Sequence, residues 1–280
     1  MRILKVYLHG STMGTPPKRN DHLRTVRGEV GGWSRGSTRR NVAFLRSVVP
    51  DSLLIDSEGQ TLYGYAFTLT LRECPLTSTE WHRMRTMYFK RLARAGMTRA
   101  HWVVEWQRRG VPHLHGCIWS PHKNFNVAVI QDWLQIAAPY GAGPKGQHQR
   151  PIHDAIGWFK YLAKHAARGV SHYQRSPENV PKGWKKTGRV WGYLGDWDRR
   201  DSMQLTIEDS TFYRLRRYVR AWRIADSRAS GDSFRIRSAR VMLSCPDRAL
   251  SAIRGISEWI DQDTMLLLLD AARGTDEVTC

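Results

Sequence analysis

A short hairpin with two histidines in its second arm constrains this chain more than any other stretch. Residues 103–119 read Val-Val-Glu-Trp-Gln-Arg-Arg-Gly-Val-Pro-His-Leu-His-Gly-Cys-Ile-Trp. Successive strand side chains point to opposite faces, so His113 and His115 share one. His101 to Gln107 alternates well enough to be the partner strand. Arg108-Arg109-Gly110 supplies the turn, with Gly taking a backbone angle other residues avoid. Folding there brings Glu105 and Gln107 near the two imidazoles. Two imidazoles and a carboxylate on adjacent strands make a small, open metal site.

The surrounding pattern predicts an α+β fold. Tyr65–Leu71 has the alternation and β-branched content of a strand. Thr77 or Ser78 caps a helix that ends before Gly96. The two hairpin strands follow. Asn126–Ala138 reads as a second helix with Val127, Ile130, Trp133, Leu134 and Ala137 on one side. Gln147–His153 reads as a short strand, and Asp154 caps a third helix reaching about Arg168. This strand–helix–strand–strand–helix–strand order predicts helices packed on an antiparallel sheet in the split βαβ, ferredoxin-like or RRM-like manner.

The flanks are less regular. Gly10–Asn20 reads as loop, Gly31–Arg40 as a flexible basic arm, and Asn41–Val49 as a short helix. Beyond the core, Gly188–Gly195 reads as strand and turn, Thr211–Arg228 as a basic helix, Phe234–Leu243 as a strand and Asp247–Asp261 as a helix. The expected organisation is an N-terminal basic arm and short helix over 1–60, the α+β domain over 61–200 and a basic helical or mixed C-terminal extension over 201–280.

Charge narrows the partners. The 280 residues carry 44 Lys and Arg against 25 Asp and Glu, a formal net charge of +19, with a pI near 10.3. The excess is spread along the chain, which suits phosphate neutralisation on nucleic acid. Arg outnumbers Lys, favouring bidentate phosphate contacts. Trp106 and Trp119 flank the hairpin and offer either base stacking or core packing. The four cysteines are scattered with no CxxC pair, which argues against a zinc ribbon or disulfide framework. No apolar run reaches membrane-spanning length, so a cytoplasmic location is expected.

The third helix adds chemistry. Tyr161 and Lys164 are three apart and share a face. A phenol with an ordinary pKa of roughly 10 is a weak nucleophile at neutral pH, and a nearby ammonium favours its phenolate. A metal ion on a scissile phosphate would polarise it for in-line attack. A His-x-His or a Tyr-x-x-Lys alone carries little information. Their order on one basic chain, behind a Phe-Thr-Leu-Thr strand and an acid eight residues before the first His, carries much more.

On these residues the chain resembles the HUH endonuclease superfamily, specifically single-tyrosine rolling-circle replication initiators of filamentous phages and small plasmids. The matching motifs are Phe67-Thr-Leu-Thr-Leu71, Pro112-His113-Leu114-His115 and Tyr161-Leu-Ala-Lys164. The resemblance covers about residues 60–195, and Gly188-Arg-Val-Trp-Gly192 resembles a segment that follows the tyrosine helix in such initiators. It implies that His113, His115 and Glu105 bind Mg2+ or Mn2+, with Gln107 as the fallback ligand. It implies Tyr161 as nucleophile and Lys164 as a positioning or charge-balancing group. Some relatives carry a second Tyr one turn later, where this chain has His165. A second subunit, another residue such as Tyr173, or water would then complete a second strand transfer.

The implied activity is nicking of single-stranded DNA at a replication origin through a 5′-phosphotyrosine and later rejoining, in the cytoplasm of a bacterial host. No Walker-type phosphate loop occurs, so a host helicase and polymerase are the expected partners. The alternatives are a transposase of the same fold and a non-catalytic DNA-binding repressor. A relaxase would place its tyrosine before the histidine pair.

Overall fold

The computed structural model describes residues 1–15, 30–167, 173–245 and 253–274, and of 164–167 only the helical backbone. The chain divides into two compact units, Thr25–Arg199 and Met1–Arg24 with Arg200–Cys280. The expected 1–60 segment is therefore shared between them.

In the chain's order the elements begin with strands β1 (Arg2–Tyr7) and β2 (Gly10–Gly14). The larger unit then holds α1 (Arg35–Ser47), β3 (Tyr63–Leu69), α2 (Ser78–Arg94), β4 (Arg99–Trp106), β5 (Pro112–Ser120), α3 (Asn126–Ala137), β6 (His148–Pro151), α4 (Ala155–Ala167) and β7 (Trp191–Leu194). Its sheet runs β6-β3-β5-β4-β7, antiparallel throughout. The first four of these strands have the interleaved order of a split βαβ arrangement, as the element order predicts.

Local signals place these elements. Thr77 accepts from the Glu80 amide at 3.2 Å and starts α2. Gly96 ends it with φ +104°, and Gly110 closes the β4–β5 hairpin with φ +71°. Asp154 accepts from the Gly157 amide at 2.8 Å and starts α4.

Directly opposed residues in an antiparallel pair share a face, so the registers sort the sheet into two sides. One side carries Phe67, Trp102, Val104, Leu114 and Ile118, under α2 and α3. There Tyr88 meets Phe67 edge-on at 6.3 Å and Trp133 at 5.4 Å, and all three rings are essentially fully buried. Fully burying each such apolar side chain contributes about 1.5–3 kcal/mol. The buried stripe of α3 is Val129, Trp133, Ile136 and Ala137, while Val127 is 49% exposed. The expected stripe is thus rotated, because Trp133 and not Val127 sets the face that meets α2.

The other side carries Glu105, Val103 and His101 from β4, His113, His115, Cys117 and Trp119 from β5, and Thr68 and Ala66 from β3. α1 and α4 cover it. Phe44 of α1 stacks on His101 at 5.5 Å and on Tyr193 at 4.4 Å. Phe159 of α4 packs on Trp119 at 6.2 Å, and Trp158 faces the Cys117 thiol. Of the expected flexible arm over Gly31–Arg40, Arg35–Arg40 are instead the start of α1, because Ser34 accepts from the Ser37 amide at 3.0 Å and nucleates the helix.

The smaller unit has β8 (Met203–Ile207), α5 (Asp209–Ala229), α6 (Ser233–Arg240), β9 (Ile256–Glu258) and α7 (Gln262–Arg273). Its antiparallel sheet runs β8-β1-β2-β9 around a core that includes Leu4, Val6, Met13, Phe212, Leu215, Val219, Met265 and Leu269. Three expectations fail here. Gly10–Gly14 is strand β2, not loop, since it pairs with β1 on one edge and β9 on the other. Residues 16–20 of that expected loop lie outside the described residues. Phe234–Leu243 is largely helix, because Asp232 caps the Arg235 amide at 2.8 Å. Of the helix expected over Asp247–Asp261, residue 253 is helical, residues 256–258 are instead β9, and 247–252 lie outside the described residues. Asp261 caps α7 through the Thr264 amide at 2.8 Å.

Candidate metal centre

The hairpin register sets Glu105 opposite His113 and Val103 opposite His115, so the carboxylate and both imidazoles rise from one face. Ligand atoms of Glu105, His113 and His115 all lie within 4.8 Å of one another. The two Nε2 atoms are 2.9 Å apart, and Glu105 Oε2 is 3.9 Å from that of His113 and 3.6 Å from that of His115. A point about 2.0 Å from all three atoms therefore exists, which is the usual length of a metal bond to imidazole nitrogen or carboxylate oxygen. The donor set fits a divalent ion and leaves other coordination positions for a ligand.

Two of the three candidate ligands, His115 and Glu105, are held from behind. Thr68 Oγ1 lies 2.8 Å from His115 Nδ1. With Nδ1–H donating to that hydroxyl, His115 presents its Nε2 lone pair toward the point where a cation would sit. Glu105 is fully buried beside Arg175, whose Nε donates to Oε1 at 2.8 Å and whose Nη2 lies 2.7 Å from the same oxygen. Both contacts fall on Oε1, which turns Oε2 toward the imidazoles. Burial pulls the Arg175 guanidinium below its usual pKa range, and Glu105 pulls it back up. The guanidinium also sits 3.9 Å over the Trp33 ring, whose indole N–H donates to the Val104 carbonyl at 2.7 Å. Gln174 completes the rim, with Nε2 3.5 Å from His113 Nε2.

Arg175, Trp33 and Gln174 are absent from the sequence-based site. They reach it from outside the hairpin, and only Thr68, inside the Phe-Thr-Leu-Thr strand, stands in a motif that could point to its role. Gln107 lies past the end of β4, and its side-chain oxygen accepts from Arg109 Nε at 2.6 Å. Trp106 and Trp119 are buried, against Trp184 at 5.9 Å and Trp197 at 5.4 Å, so both are core residues and not base-stacking platforms.

α4 covers the same face. Tyr161 is 40% exposed and stacks on Trp158 at 4.9 Å, and Trp158 in turn faces Cys117, the next position on that face after His115. The helical backbone includes Lys164 and His165, whose side chains lie outside the described residues. Tyr173 is 42% exposed at the hairpin end, with the Arg108 guanidinium 5.0 Å from its ring centre. Two positions on the strand beyond Val103, His101 is fully buried and bonds Asn41 Oδ1 at 2.8 Å. Desolvation, reinforced by Arg175, drops its pKa to about 3, so it stays neutral.

Residues 64–167, which run from β3 through the histidine pair to the end of the tyrosine helix and leave out only β7 of this sheet, match the family of the replication-associated protein ORF2. The likeness extends well beyond them. A putative replication protein of Xylella fastidiosa strain 9a5c is 48% identical over 274 residues, covering 95% of this chain and 94% of the relative. The chain belongs to this family of replication-associated proteins. A replication-associated protein of Pseudomonas phage Pf3 is 47% identical over 277 residues, 96% of each chain. No solved structure matches. Among the described residues no helix is long and apolar enough to cross a membrane.

Proposed function

We propose that this replication-associated protein is an HUH-type, single-tyrosine endonuclease that opens replication by nicking single-stranded origin DNA. The observation that carries the reading is the convergence of Glu105, His113 and His115 within 4.8 Å on the sheet face that α4 covers. A bound Mg2+ or Mn2+ would supply Lewis-acid polarisation of the scissile phosphate. The hard ion is preferred because the ligand to be shared is a phosphate oxygen.

The chain's own groups do the rest. Tyr161 loses its phenolic proton and attacks phosphorus in line. The P–O bond to the 3′ oxygen breaks, that oxygen leaves as a 3′-hydroxyl after taking up a proton, and the 5′ phosphate stays on Tyr161. Lys164 favours the phenolate and balances charge on the pentavalent phosphorus. No water is consumed, so a later 3′-hydroxyl can reverse the step and rejoin strands. Arg175 and Thr68 act as positioning residues for Glu105 and His115. With no nucleotide-binding phosphate loop, unwinding falls to a host helicase and synthesis to a host polymerase.

Incubating the chain with Mn2+ and labelled single strands tiling its own replicon tests the reading. A sequence-specific nick with covalent attachment is expected, and Tyr161→Phe should bind DNA but attach none. Attachment by that variant would exclude Tyr161 as nucleophile. Specific binding with no nick would favour a repressor on the same fold.

A further inference from the structure

The smaller unit carries charge that its own fold does not use. Residues 201–280 contain twelve arginines and no lysine, and nine of them lie on α5 and α6. Gly231, with φ +67°, turns the chain so that α6 folds back along α5, bringing Ser238 to 3.1 Å from Arg223 Nη2.

Of the nine, Arg216 is buried with its guanidinium 5.3 Å from the Phe212 ring centre and Arg214 is half-buried, and the other seven fall into two groups. Arg223 and Arg235 point into the hairpin and are neutralised there: Arg223 meets Glu258 at 2.7 Å, while Arg235 meets Asp226 and lies 3.9 Å from Glu258. Asp209 is held by Arg2 at 3.1 Å and Asp232 by its capping bond. The acids of these two helices are thus all engaged. Arg217, Arg228, Arg237 and Arg240 are exposed and Arg220 is half-buried, and among the described residues none of the five makes an ion pair. At helical spacing, Tyr213, Arg217, Arg220, Ile224 and Arg228 form one acid-free stripe along a 21-residue helix. Such a helix is about 30 Å long. Like charges in this spacing repel one another, so the stripe costs the isolated chain stability.

We infer that the outward arginine stripe of α5, extended by α6, is a second DNA-binding surface that grips the phosphate backbone of duplex DNA. Guanidinium forks fit phosphate oxygens, and a rigid row that runs about 17 Å from Arg217 to Arg228 suits a polyanion whose charges stand at fixed spacing. Binding to an unpaired strand would call for several exposed rings, and the stripe carries one, Tyr213. The surface holds the double-stranded flank of a replication origin and leaves base-specific reading elsewhere. The inference rests on the DNA-directed reading above but not on its cleavage chemistry.

The test uses the full chain with Arg217→Ala, Arg228→Ala and Arg237→Ala combined. A second triple variant, Arg83→Ala, Lys90→Ala and Arg94→Ala, removes the same charge from the exposed face of α2. Affinity for a labelled duplex is measured from about 50 to about 200 mM salt. Losing three phosphate contacts should flatten the salt slope by about 2–3, so that over this range the wild-type affinity falls about 40-fold more than the α5–α6 variant's. The α2 variant should keep the wild-type slope, and both variants should attach to a short single-stranded substrate as the wild type does. An unchanged slope in the α5–α6 variant, or an equal change in both variants, overturns the inference. If the wild type attaches to no DNA at all, the nicking reading fails while the salt slopes still decide this one.

Discussion

Replacing Arg175 by Ala probes the centre without touching a ligand. The guanidinium is fully buried, makes two contacts of 2.8 and 2.7 Å to Glu105 Oε1, and stacks on Trp33. Removing it strands a buried carboxylate and leaves a cavity over the indole. Breaking a buried ion pair from one side costs about 3–5 kcal/mol. In a unit of this size each kcal/mol moves the melting temperature by about 2–4 °C, so a fall of roughly 6–20 °C is expected. Thermal melting followed by circular dichroism reads it. The same change frees Glu105 to rotate, and loss of a group that orients a ligand typically weakens metal binding about 10- to 100-fold. Calorimetric titration with Mn2+ measures that second effect. Glu105→Gln with Arg175→Met should recover much of the stability, since neither then leaves a lone buried charge, but not the metal affinity. A melting temperature within a degree of wild type together with unchanged Mn2+ affinity would refute the role given to Arg175.

Thr68→Val keeps the shape of β3 but removes the hydroxyl at 2.8 Å from His115, and should weaken Mn2+ binding about 10-fold or more with little change in melting. Gly116→Ala should destabilise by about 1–3 kcal/mol in urea titrations, because its Cβ would come 2.5 Å from both the His101 carbonyl and the Phe67 ring. His101 has a folded pKa of about 3, below its unfolded value of 6.5, so the unfolded chain binds more protons between them. Its contribution to stability is complete above the unfolded value and drains as the pH falls toward the folded one. Between about pH 7 and about pH 4.5 this amounts to roughly 2–3 kcal/mol, and His101→Gln should lack that part of the acid sensitivity. Equal losses in both proteins would rule the account out. Chelating divalent ions should stop covalent attachment to DNA, and adding back Mn2+ should restore it; attachment that persists after chelation would remove the metal from the proposal.

What the sequence discloses here is local. The Gly110 turn, the Thr77 and Asp154 caps and the stop at Gly96 each depend on a few adjacent residues, and together they fold the histidine hairpin and align the helices around it. Glu105 can be placed near His113 because the hairpin counts the residues between them. Arg175 cannot, since nothing at its position signals that the chain returns to donate into Glu105 some seventy residues back. Trp33 is equally remote. The smaller unit resists a local reading for the same reason: β1 and β2 become a sheet only by pairing with β8 and β9 from the far end of the chain. In α6 the alternation of Phe234 and Ile236 imitates a strand, and the Asp232 cap decides otherwise.

The tyrosine-bearing helix is fastened to one sheet before and after its run. β6 ahead of it is stitched to β3, while beyond it the Gln174 carbonyl takes the Trp106 amide at 2.8 Å and Arg175 grips Glu105. A DNA strand hanging from Tyr161 would therefore load two anchorages at once. Were a strand joined there as proposed, tension on it would be spread through the sheet as shear, and the captive terminus would stay on the face that carries Glu105, His113 and His115.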